Sequence, residues 1–149
     1  MKKVTLWGVV AFVLILAIAL FSAVKYGKKS EIYASGQISI KPDLEADAEG
    51  LRTLFISVYD MDSPMPMPFG AVKERLHSDA KGQFFEFFLT KESLRVMNPN
   101  APIPNRLRIK ARIDVDGVGG AAQPGDLLGE VEDIPLGSKG VAIMIDSVM

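Results

Sequence analysis

Cysteine is absent from all 149 residues, and histidine occurs once. The first absence removes disulfides, thiol nucleophiles, thiolate metal sites and covalent haem attachment through C-x-x-C-H together. The second leaves His77 as the sole imidazole, so a triad would need Ser78, Asp79 or Glu74 to converge on it. No enzyme and no resident cofactor is expected. Acidic residues are missing from the first 30 positions, where five of the 17 basic residues lie. Beyond Ser30 that leaves 12 basic against 18 acidic groups, a net charge of −6. Nucleic acid is excluded as a partner, because binding phosphates needs a basic surface.

What is present begins with an uncharged run from Val4 to Val24. As a helix rising about 1.5 Å per residue it spans roughly 30 Å, the thickness of a bilayer's hydrocarbon core. Trp7 lies near one end and Tyr26 beyond the other, where amphipathic rings favour the lipid–water interface. Lys2 and Lys3 precede the run; Lys25, Lys28 and Lys29 follow it. The segment reads as a transmembrane anchor. A cleavable signal is the alternative, although its apolar region is usually shorter, about 7–15 residues. The expected order is a cytoplasmic tail at 1–3, the anchor at 4–24, a linker at 25–36 and an exported domain at 37–149. A short amino-terminal tail of this kind is expected to stay in the cytosol while the long carboxy-terminal part is exported.

After the linker the signals are those of strands. Gln37–Ile40 alternates with period two and stops at Pro42, while Thr53–Tyr59 is rich in β-formers. Ala71–Leu76 and Gln83–Leu89 follow, the latter with Phe84, Phe85, Phe87 and Phe88 around Glu86. Arg106–Asp114 alternates most cleanly, with Leu107, Ile109, Ala111 and Ile113 on one side. Gly129–Ile134 and Gly140–Val148 complete the set. Spacing and turn density predict an all-β domain, an antiparallel β-sandwich of six or seven strands.

Two stretches are candidate partner-binding sites. Pro64, Pro66 and Pro68 interleave with Met65 and Met67, removing three backbone donors and imposing an extended loop. With Met61 and His77 the thioethers offer an alternative set of soft Cu(I) ligands, against which the sequence reads the methionines as packing. Arg106, Arg108, Lys110 and Arg112 form a cationic strip that could receive an acidic partner, haem propionates or lipid head groups. The competing reading is a wet sheet face neutralised by Glu86, or by Glu130 and Glu132. Gly117 to Ala122 fits G-x-G-x-x-A, but Pro124 and Gly125 forbid the helix that a dinucleotide site requires, so it reads as a turn loop. Asp126 is expected to cap turn amides there or to hold the loop's geometry.

An ordered set of short motifs resembles the carboxy-terminal exported domain of CcmI-type cytochrome c biogenesis factors. It comprises Thr53–Ile56, Pro64–Pro68 with Ala71-Val72-Lys73, Phe87–Thr90, Met97-Asn98-Pro99, Ile109–Ile113 and Gln123–Gly129. The likeness runs over roughly residues 36–149. It implies a membrane-anchored assembly factor that contacts c-type cytochromes, haem-ligation machinery or a membrane cytochrome complex. Members of that family usually carry two transmembrane helices and a tetratricopeptide array. Here there is one apolar span and no 34-residue helical repeat. The resemblance therefore implies a docking module or an accessory structural subunit.

Overall fold

The computed structural model describes residues 31–149, which form one compact unit. The expected anchor at 4–24 and its flanking lysines lie outside the described residues. Among the described residues no helix is long and apolar enough to cross a membrane.

The chain is all-β. Seven long strands are β1 (Ile32–Ile40), β2 (Thr53–Asp60), β3 (Gly70–Arg75), β4 (Gln83–Thr90), β6 (Arg106–Asp114), β7 (Leu127–Pro135) and β8 (Ser138–Ile145). Two short ones, β5 (Arg95–Val96) and β9 (Ser147–Val148), form opposite edges of one sheet, and among the described residues a single 3-10 turn occupies Pro42–Leu44. A small sheet runs β4-β1-β8 and a large one β5-β3-β2-β6-β7-β9. The two enclose one core in a sandwich-like arrangement. Ile38, Leu54, Ile56, Val58, Ile109, Ile113, Leu127, Ile143 and Ile145 are all fully buried in it. Each such side chain contributes about 1.5–3 kcal/mol on leaving water.

Three boundaries differ from the sequence reading. The linker expected at 25–36 ends earlier, because β1 begins at Ile32 and is the middle strand of the small sheet. Polar Ser35 and Gly36 disguise it, although Tyr33 and Ala34 are buried. The pairing is not wholly antiparallel. β1 runs parallel to β8 through Gln37↔Ala142 to Ile40↔Ile145, while the other neighbouring pairs are antiparallel. Strands β2 to β7 lie between β1 and β8 in sequence, which supplies the long crossover that a parallel pair needs. Finally, the expected last strand breaks at Asp146. Up to Ile145 it belongs to the small sheet; from Ser147 it pairs with Leu128 of the large one.

That switch requires the backbones of β7 and β8 to come very close. A Cβ on Gly129 would stand 2.1 Å from the Met144 carbonyl oxygen. Gly36 does the same for β1 against β8, where a Cβ would fall 1.8 Å from the Val141 oxygen. Only glycine fits either crossing.

Candidate functional site

The outward side chains of β2 set the site. Strand alternation turns Leu54, Ile56 and Val58 into the core and Phe55, Ser57 and Tyr59 outward. A ring, a small hydroxyl and a ring therefore succeed one another along the middle of the large sheet. Pairing register carries each across the neighbouring strands. Phe55 stands between Lys73 and Arg112, and Arg112 faces Leu128. Ser57 stands between Ala71 and Lys110, Ala71 faces Arg95, and Lys110 faces Glu130. Tyr59 stands opposite Arg108.

The middle row is low because Ala71 and Ser57 are small, and the rows to either side carry aromatic rings. The result is a trough of about 1340 Å³ open to solvent. Gly119–Ala122 forms part of its rim, and Pro68 with Met97 another part. The two rings are some 13 Å apart along β2 at about 3.3 Å per residue.

Cations cover the ring faces. Arg108 lies 4.7 Å from the Tyr59 centroid and Lys110 5.5 Å from it; Arg112 and Lys73 lie 5.0 Å and 5.5 Å from that of Phe55. Such contacts contribute about 0.5–1 kcal/mol each at exposed sites. The β6 strip is also largely neutralised. Arg106 pairs with Asp133 at 2.6 Å, Arg108 with Glu132 at 3.7 Å and Lys110 with Glu130 at 3.2 Å. Glu130 and Glu132 thus act as the sequence reading of a balanced wet face expects. Glu86 does not, since it lies opposite Gln37 in the small sheet.

Arg112 has a different role. Its guanidinium reaches Asp114 at 3.2 Å, Asp126 at 3.7 Å and the Gly120 carbonyl at 2.9 Å. Asp126 is fully buried and accepts from the amides of Val115 (3.0 Å) and Gln123 (2.8 Å). Asp114 accepts from the Gly117 amide, and burial, then a hydrogen bond shared with Asp116, raises its pKa above the usual aspartate value. Asp116 is lowered by the Val118 amide and by the Gln123 side chain. Within that pair Asp114 holds its proton longer. The three carboxyl groups fold the G-x-G-x-x-A segment back onto Arg112 and make it a wall. No helix starts there, as Pro124 and Gly125 dictate. The Lys73 ammonium ties the wall to β3 by donating to the Gly117 carbonyl at 2.6 Å.

The Met–Pro loop joins β2 to β3. Met65 and Met67 are each 60% exposed, so they do not pack into gaps as the sequence suggested. Pro68 lines the trough, while Pro64 and Pro66 are exposed beyond it. The alternative copper set does not assemble. His77 follows the far end of β3, a strand on the order of 17 Å long, whereas Met65 and Met67 lie in the loop before its near end. His77 is exposed, and its neighbour Asp79 is turned toward Arg52 at 2.7 Å and the Gly50 amide at 3.1 Å.

Sequence reasoning found Lys110, Arg112 and Pro68 but missed Phe55, Ser57, Tyr59, Ala71, Lys73 and Arg95. The outward period-two set of β2 was the available signal. No family model, curated protein or solved structure matches this chain.

Proposed function

We propose that this chain is a non-enzymatic, membrane-anchored protein of the bacterial inner membrane whose periplasmic β-sandwich binds another protein during assembly of c-type cytochromes or other haem proteins. The observation that carries the binding part is the trough on the large sheet. Its volume of about 1340 Å³ exceeds the roughly 300–1,000 Å³ of small-molecule pockets, and it is open rather than enclosing. A floor of small residues between two rings, with cations around them, suits the aromatic and arginine-rich centre of a protein interface. The exposed Met65 and Met67 extend the contact surface, since methionine adapts to varied partners. The assembly role rests on the ordered motifs shared with the biogenesis factors, and the anchor on the uncharged run Val4–Val24.

The test uses the full chain with a carboxy-terminal tag. It is expected to stay with membranes through an alkaline carbonate wash. From mild detergent it is expected to co-purify with haem-ligation components, an apocytochrome or a membrane cytochrome complex, identified by mass spectrometry. Release by carbonate with residues 1–30 intact, or recovery without any haem-protein component, would contradict the reading.

A further inference from the structure

We propose that the trough recognises an extended, acidic polypeptide segment, whose carboxylates meet Lys73 and Arg95 and whose main chain lies along Gly119–Ala122. This deepens the protein-binding reading above and rests on it.

Charge is the first reason. Beyond Ser30 the chain carries a net −6, yet the trough is lined by Lys73, Arg95, Lys110 and Arg112 against only Glu130 and Asp146. A positive hollow in a negative domain selects for anionic partners by complementarity, since other faces repel them. Within the hollow the cations are not equivalent. Lys110 and Arg112 already hold carboxylates, at 3.2 Å to Glu130 and 3.2 Å to Asp114. Among the described residues Lys73 and Arg95 have no ion pair. Both lie on the β3–β5 side, so the unanswered charge is confined to one flank.

The rim supplies the second reason. The amides of Gly119, Gly120, Ala121 and Ala122 donate to no acceptor among the described residues, whereas those of Gly117, Val118 and Gln123 are all taken by aspartates. Four successive free donors without bulky side chains match the carbonyls of an approaching main chain. The floor fits the same occupant. Side chains of an extended segment can settle on Ala71 and Ser57, between Phe55 and Tyr59, and the Ser57 hydroxyl has no partner of its own among the described residues. Flat bilayer head groups fit less well, because the Gly119–Ala122 wall stands between a planar surface and this floor.

The probe is a fluorescein-labelled twelve-residue peptide of alternating Leu and Glu. It is titrated by anisotropy against the full chain in phosphatidylcholine nanodiscs. Saturable binding that weakens with salt is expected. The double variant Lys73→Glu/Arg95→Glu should weaken it at least tenfold and gain affinity for the matching Leu/Lys peptide. Lys41→Glu/Lys139→Glu, away from the trough, should leave affinity within twofold. Because Lys73 also holds the wall, the neutral pair Lys73→Gln/Arg95→Gln serves as a second variant and should show a smaller loss with an unchanged circular dichroism spectrum. Equal affinity in the trough and control variants would overturn the proposal. So would displacement of the peptide by phosphatidylglycerol vesicles or haemin at lower concentration than by unlabelled peptide. If the assembly partner still co-purifies with the trough variants, this inference alone falls; if no partner is recovered from the wild type, the underlying reading falls.

Discussion

Gly129→Ala is expected to lower stability by about 3 kcal/mol or more, the upper end of what overpacking costs. The added methyl would sit 2.1 Å from the Met144 oxygen and 2.6 Å from its carbonyl carbon, both backbone atoms that no rotamer change can move. To admit it, β8 must separate from β7 where the chain passes from the small sheet into the large one. β9 then loses its pairing with Leu127 and Leu128. A loss of that size lowers the melting temperature by about 10 °C or more in a domain of this length. Gly119→Ala is the control, since a Cβ there meets only the Phe55 ring at 3.9 Å. It should stay within about 0.5 kcal/mol of the wild type. Urea unfolding of the detergent-solubilised chain, followed by circular dichroism, compares the two. An unchanged midpoint for Gly129→Ala would mean that the sheets do not cross this closely.

Asp126→Ala should cost about 3–5 kcal/mol, the range for removing one partner of a buried ion pair. Two backbone amides, Val115 and Gln123, lose their acceptor, and Arg112 loses one of its two carboxylates. A buried donor left unsatisfied is itself destabilising by about 1–3 kcal/mol. The consequence should be local before it is global. The segment from Val115 to Gly125 is held over the sheet chiefly by this carboxylate and by Asp114, so its release takes away a wall of the trough. Hydrogen exchange should show faster exchange at Val115 and Gln123 in the variant, with the β2–β6 ladder still protected under native conditions. Asp126→Asn, which keeps one acceptor oxygen, should fall between the two. Exchange at Val115 and Gln123 as slow as in the wild type would show that the loop does not depend on Asp126.

How far the sequence could be read follows from where its information lies. β6 was legible residue by residue, because charged and apolar side chains alternate from Arg106 to Ile113 and the structure keeps that alternation. Asp126 was legible as a residue that caps turn amides or holds the loop, since aspartate side chains commonly accept from nearby backbone amides in turns. β1 was obscured by Ser35 and Gly36; the glycine is there because Val141 presses against its backbone, a fact of tertiary packing. The parallel β1–β8 pair joins strands more than 90 residues apart, and no local pattern encodes it.

The trough lay between these extremes. Lys110 and Arg112 could be named from the β6 stripe, but Lys73 and Arg95 reach the same face only through the registers Phe55↔Lys73 and Ala71↔Arg95. β5 is two residues long and leaves no periodic signature. Reading β2 only as a run rich in β-formers hid its small central serine between two rings. The exposed methionines were misjudged because methionine composition does not distinguish a core filler from a contact surface.

Site-specific photo-crosslinking in living cells tests the central claim most directly. A photoreactive amino acid replaces Ser57 on the trough floor, or Gln37 on the outer face of the small sheet. The account predicts that position 57 yields covalent adducts with a component of cytochrome or haem-protein assembly and that position 37 does not. Adducts from position 37 with none from position 57 would contradict it.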